Sequence, residues 1–384
     1  MKNVKSTGFC IISLCMAGSI LLSACSQKAE MTDITDTADS NSASVNETVG
    51  GETGQVDEPQ SSESTSRELT PDETSFFSDY LSRSGNWGFL LSTYKSPGEI
   101  DLNELFYSGA GISNYSLTEE EGEDFLNASG AEEIYTDVVH LTTAQIDDFL
   151  LEKTGLTYAQ MQKGLGWVYS AQTDTWYHQA GDTNWRPFEC VGGTADGDVY
   201  KLHVKATDSE PGYRAELYET VLRKNGDGYQ FVSNLFMEEE GKIEEQSFAL
   251  FLEPWGEVTF AAYTPEEDGE PTADVTFRVV QDGKLLMTLY GVAYDNIREN
   301  QYFLSVDAIA FPDFNSDGYT DLITIASYSH TAGADADDCF VEARVYSGND
   351  WGRFVYERDM SEAVNSAVAE LTVDSVLGFL GVDR

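Results

Sequence analysis

The chain has 384 residues, of which 67 are Asp or Glu and 22 are Lys or Arg, a formal net charge of -45. A polyphosphate or an anionic lipid surface needs a basic footprint, so this balance excludes nucleic-acid partners and membrane docking through basic side chains. Hydrophobic residues at 41% and aromatics at 12% suffice for packed cores, so the chain is not disordered throughout.

Lys2 and Lys5 precede an apolar stretch from Phe9 to Leu22. That stretch is shorter than the roughly 20 residues a spanning helix needs, and it sits where a secretory signal sits. It ends in Leu22-Ser23-Ala24-Cys25. This ending resembles the lipobox of bacterial lipoproteins: an aliphatic residue, two small residues, then cysteine. The resemblance implies that residues 1–24 are removed and that the Cys25 thiol carries a diacylglyceryl group. Two acyl chains make a stable anchor where one gives marginal binding. The implied location is the extracellular face of the cell membrane, with the membrane as a partner through the lipid. Removal of the signal leaves 67 acidic side chains against 20 basic ones.

From Ser26 to Arg67 the chain is dominated by Ser, Thr, Asp, Glu, Gly and Asn, with only isolated Ile and Val and no aromatic residue. Such a segment cannot bury enough apolar surface to offset its ordering entropy. Residues 25–67 therefore read as the lipidated cysteine and an acidic tether of roughly 35 Å r.m.s. reach.

Residues 68–240 read as an α+β unit, helices first and an antiparallel meander after. Thr70-Pro71-Asp72-Glu73 is a helix start with an N-cap, a proline at N1 and a glutamate at N3, followed by Phe76, Phe77, Tyr80 and Leu81. Thr118 with Glu121, Thr142 with Gln145, and Thr157 with Gln160 repeat the signal, with stops near Gly130, Gly155 and Gly164. Asp101 to Glu104 reads as a short helical turn. After Gly164 the period becomes alternating, and strands are expected around 167–169, 175–178, 198–204, 213–222 and 229–236. Trp176, His178, Asp182, Asn184 and Trp185 gather polar and aromatic groups around a Gly-Asp-Thr-Asn turn. They form either a pocket in which His178 meets Asp182, or a strand ending in an Asx turn with both tryptophans on the core. The order of elements from the capped helix to Trp185 also resembles uncharacterised extracellular lipoproteins of Gram-positive bacteria, a resemblance that implies no activity.

Residues 243–384 read as a mostly-β domain. Strands are expected at 248–252, 257–263, 275–280, 284–290, 303–311, 322–328, 340–346 and 354–357, and helices at 361–369 and 372–380. The hairpin at Gln281-Asp282-Gly283 is the clearest turn. Asp313-Phe-Asn315-Ser-Asp317-Gly318-Tyr319-Thr-Asp321 places side-chain oxygens at loop positions 1, 3, 5 and 9, with glycine at 6 and the Tyr319 carbonyl at 7. A hard cation such as Ca²⁺ takes such an oxygen set. Position 12 is Thr324 and both flanks are β, so the loop is not an EF-hand. It resembles the calcium loop between two strands in FG-GAP and VCBS-type repeats. The resemblance implies a structural Ca²⁺ held by Asp313, Asn315, Asp317, Tyr319 and Asp321. The motif occurs once, so no propeller is implied. If 340–346 pairs next in the sheet, the turn at Ser347-Gly-Asn349-Asp350 returns to the calcium end. Asp335, Asp337 and Asp338 then lie at the opposite end, roughly 20 Å away.

Cys190 and Cys339 are the remaining cysteines outside the signal and anchor, and a bridge between them would need contact between the two regions. The leading functional expectation is non-catalytic binding of an extracellular protein or glycan. The alternatives are an inhibitor of lysozyme-like wall-cleaving enzymes, steered by acidic charge, or a wall- or glycan-directed hydrolase with two poised carboxylates.

Overall fold

A computed structural model of the protein describes residues 66–113, 115–208, 213–238, 240–266, 274–291, 301–330 and 339–382. The signal, Cys25, the tether as far as residue 65 and the loop of Asp335, Asp337 and Asp338 lie outside the described residues.

The fold opens with a short strand β1 (Arg67–Glu68) and helix α1 (Pro71–Leu81). The Thr70 signal works as read. Glu73 N–H donates to the Thr70 hydroxyl, and Thr70 N–H donates back to the Glu73 carboxylate at 2.9 Å. Arg67 adds a two-pronged bond to the same carboxylate, at 2.6 and 2.8 Å, and with the Thr70 amide holds its pKa down at about 2. Arg67 also pairs with Ala195, so it belongs to the fold and not to the tether. Helices α2 (Leu102–Phe106), α3 (Glu119–Ser129) and α4 (Thr143–Thr154) follow, and α3 and α4 each end on a left-handed glycine, Gly130 and Gly155. Thr157 caps only a 3₁₀ turn, Tyr158–Gln160, because the chain is already extended at Met161.

Between α3 and α4 lies β2 (Val138–Thr142), which pairs with the hairpin β3 (Val168–Ser170) and β4 (Thr175–Gln179). Sequence reading places no strand there. The segment has five residues, runs straight into the Thr142 cap, and shows no clean alternation because Val138 and Val139 are both buried. The meander then runs β5 (Phe188–Asp196), β6 (Val199–Ala206), β7 (Leu217–Asn225) and β8 (Gly228–Phe236), in sheet order β1-β5-β6-β7-β8. Helix α1 lies on β5. Ser78 fixes the seat by accepting the Cys190 amide at 2.9 Å where β5 bulges between Cys190 and Gly192. Gly193, at φ +136°, passes so close to β6 that a Cβ would stand 2.1 Å from the Lys201 carbonyl oxygen.

The remaining strands form two four-stranded antiparallel sheets. One is β9 (Lys242–Leu252), β10 (Gly256–Tyr263), β11 (Thr276–Gln281) and β12 (Lys284–Tyr290). The other is β13 (Tyr302–Ala310), β14 (Leu322–Ser329), β15 (Cys339–Ser347) and β16 (Val355–Tyr356). Helices α5 (Arg358–Ala367) and α6 (Val373–Leu380) close the chain. The layering explains why β14 is apolar along nearly its whole length. Leu322 faces a core shared with Phe260, Phe277 and Val279, while Ile323 and Ile325 face Val364 and Val376 of the helices. A strand covered on both faces loses the usual alternation. The architecture is α+β, as expected. No helix among the described residues is long and apolar enough to cross a membrane. Cys190 and Cys339 are not bridged to each other, and Cys190 is buried in the first core.

The β-regions on either side of residue 240 share packed surface, and all the described residues fall within one compact unit. Val280 and Leu285 pack on the first core. Arg278, fully buried, reaches from β11 to donate to the carbonyls of Arg214 and Ala215 at 3.0 and 2.9 Å. Its guanidinium lies 4.9 Å from the Phe236 ring centre and 4.8 Å from that of Tyr263. Beside it, buried Glu216 accepts from Tyr218, Thr288 and Arg186, at 2.5, 2.7 and 3.1 Å. Lys284 pairs with Glu99 across the same boundary.

Candidate functional site

The loop 313–321 joins β13 to β14 and is wound by its own oxygens. Ser316 and Gly318, at φ +57° and +92°, turn the backbone into the left-handed region twice. That curl brings the Asp317 and Gly318 amides onto the two oxygens of Asp313, each at 3.1 Å. The Asp317 amide also reaches Asn315 Oδ1 at 3.0 Å, and the Tyr319 amide reaches Asp317 Oδ1 at 2.9 Å. Asn315 Nδ2 donates to Asp317 Oδ2 at 2.9 Å.

Asp321 behaves differently. It is fully buried, and its two oxygens accept the Phe314 and Gly348 amides, both at 2.8 Å. Burial, reinforced by the nearby charge of Asp317, pushes its carboxyl above the usual range. Asp321 thus ties the loop to the turn after β15, as sequence geometry anticipated when it brought Ser347–Asp350 to this end. Among the described residues, no three His, Cys, Asp or Glu side chains converge as a metal cluster. The donor chemistry nevertheless fits a hard cation. A carboxylate oxygen that accepts one amide keeps a lone pair, and Asp313, Asn315 and Asp317 stand exposed at the mouth of the loop.

Next to the loop is a cleft of about 210 Å³. One wall is the loop itself at Gly318, Tyr319 and Thr320, and the return turn supplies Gly348, Asn349 and Arg353. The opposite wall comes from the end of β9, with Phe251 and Glu253. The Trp255 indole N–H donates across to the Gly352 carbonyl at 3.4 Å, and each side is also held within itself. Asn349 Oδ1 accepts the Trp351 and Arg353 amides, both at 3.0 Å, and Gln281 Nε2 donates to the Trp255 carbonyl at 2.7 Å. Sequence reading assigned Phe251 and Arg353 to no site, and brought Asn349 to the calcium end only as part of a turn. The usable signal was the glycine-bearing turn predicted to return beside Gly318.

The cluster around Trp176 divides. Trp176 and His178 share one face of β4, but they serve different neighbours. Trp176 donates its indole N–H to Thr143 at 3.1 Å and packs against Tyr158 and Tyr169. His178 stacks on Trp167 with centroids 5.1 Å apart and meets the Tyr107 ring edge-on. Burial pushes its pKa down, which favours the neutral ring. The Asp182 carboxylate accepts the adjacent Thr183 amide at 2.7 Å, one residue on and so not an Asx turn, the Thr183 hydroxyl accepts the Trp185 amide at 3.1 Å, and Asp182 shares no hydrogen bond with His178 among the described residues. Asn184 fastens that turn to α2 by donating to the Glu104 carbonyl at 2.8 Å. Trp185 is 53% exposed and does not pack on the core, because the turn held by Asn184 carries it outward.

Comparisons with protein-family models, with curated proteins and with solved structures find no match to this chain.

Proposed function

We propose that this is a lipid-anchored protein of the extracellular face of a bacterial membrane, held through Cys25, which binds a surface protein or glycan without catalysis. In this reading Asp313, Asn315, Asp317 and Asp321 with the Tyr319 carbonyl hold one structural Ca²⁺. The ion would relieve carboxylate repulsion in a loop with no base nearby in sequence and stiffen the cleft wall. The observation that carries the reading is the bond from the Gly348 amide to Asp321, which makes the ion loop and the cleft one mechanical unit. The acidic surface is consistent with export and unfavourable for nucleic acid.

The binding half is tested by sedimenting the soluble chain beginning at Ser26 with washed bacterial cell walls. Depletion from the supernatant is expected, and none would overturn it. The anchor half rests on Leu22-Ser-Ala-Cys25. Cys25→Ala is expected to abolish labelling by a fatty-acid probe and to release the protein from membranes or leave the signal uncleaved. Labelling equal to the parent's would refute the anchor.

A further inference from the structure

We infer that the cleft beside the 313–321 loop is a sugar subsite, taking one pyranose ring of a β-1,4-linked polysaccharide. The inference rests on the binding reading above and narrows it.

Size comes first. At about 210 Å³ the cleft is below the roughly 300–1,000 Å³ of drug-sized ligand sites, so it suits one ring of a longer chain. Chemistry comes second. Phe251 lines the cleft yet stays 64% exposed, an aromatic that folding alone does not bury. The flat C–H face of a pyranose matches such a ring, and equatorial 1,4-linkages keep that face free along the chain.

The polar groups are of both kinds and are not consumed by the fold. Asn349 spends its Oδ1 on two backbone amides, while its Nδ2, the Arg353 guanidinium and the Glu253 carboxylate make no hydrogen bond among the described residues. Donors and acceptors of opposite charge lining one cleft suit hydroxyl groups, which donate and accept at once, better than they suit an ion. Gly318 puts bare backbone along one wall, with nothing within 4 Å of where a Cβ would stand, so a ligand can approach the main chain there. Gly348 has no room for a side chain: a Cβ there would lie 2.2 Å from the Thr320 carbonyl oxygen. A neutral ligand also escapes repulsion from the net charge of -45.

The test uses the soluble chain from Ser26, in millimolar calcium, sedimented with cellulose, chitin and peptidoglycan sacculi. The tetrasaccharide of whichever polymer is bound is then titrated by calorimetry. Depletion by at least one polymer is expected. Phe251→Ala should weaken the tetrasaccharide at least about tenfold, and Arg353→Gln several-fold, with melting temperatures close to the parent's because both side chains are exposed. Tyr135→Ala, which removes a 73% exposed aromatic outside the cleft, should leave binding unchanged. No depletion by any polymer, or tetrasaccharide binding by Phe251→Ala within twofold of the parent, would overturn the inference. Wall binding that survives Phe251→Ala would sink the cleft and spare the broader reading.

Discussion

Glu216→Ala is expected to remove about 3–5 kcal/mol of stability, the cost of breaking a buried charge pair by deleting one partner. Glu216 is 7% exposed and receives Arg186, Tyr218 and Thr288, with Arg278 close behind. Alanine leaves the Tyr218 and Thr288 hydroxyls without their acceptor, while Arg186 keeps only its two bonds to Asp208. The loss falls where β7 meets β12, so both sides of residue 240 should melt earlier and together. Chemical denaturation followed by tryptophan fluorescence measures it; a change under about 1 kcal/mol would show that water replaces the carboxylate there. The same group sets a pH dependence. Burial pushes the Glu216 carboxyl up, but Arg186 and the two hydroxyls outweigh it and leave the carboxyl below the usual range. A carboxyl depressed in the fold binds its proton more readily when unfolded. Its stabilisation is therefore present above the unfolded value of about 4.3 and is lost as pH falls through and below it. Glu216→Gln should flatten this part of the acid limb.

The proposed calcium ion carries the second large expected effect. At a free-ion level 100 times the dissociation constant, linkage adds about 2.7 kcal/mol, which for a chain of this size raises the melting temperature by roughly 5 °C. Chelation is expected to remove that increment. Asp317→Ala should melt at one temperature with or without the ion, whereas Glu120→Ala on α3 should keep the full response. Because Val280 and Leu285 pack on the first core, one transition should shift as a whole. Superimposable melts of the parent in chelator and in millimolar calcium would dispose of the ion.

Local signals were the most legible part of the sequence. The capping boxes at Thr70, Thr118 and Thr142 and the hairpin at Asp282-Gly283 act within four residues, and all four formed. Strands 276–281, 284–290 and 322–329 lie within a residue or so of expectation, because branched and aromatic runs bounded by turns leave little choice. Strand β2 stayed hidden because its partner β4 lies more than thirty residues away and its own pattern is not alternating. Arg278 reads as an ordinary strand cation, since nothing local reveals that Phe236 and Tyr263 close over it. Phe251 reads as a core residue by type, and its exposure follows from where β9 ends. The oxygen pattern of the 313–321 loop was plain from spacing, but the bond from Asp321 to Gly348 depends on which strand β14 takes as its second neighbour.

The shared surface around Arg278 also bears on how the chain is made. Synthesis delivers β8, an edge strand of its sheet, well before Val280 and Leu285 exist to cover the flank beside it. About 50 residues separate them, on the order of 2–10 s at roughly 5–20 residues per second. Through that interval the Phe236 ring lacks its cation, and the outer edge of β8, paired with Tyr94 at Asn234, still lacks the Gly283 carbonyl that later accepts the Phe236 amide. The nascent N-terminal half is therefore the stage most exposed to wrong pairing, and a holding chaperone that covers this edge until residue 285 emerges would raise the yield of folded protein.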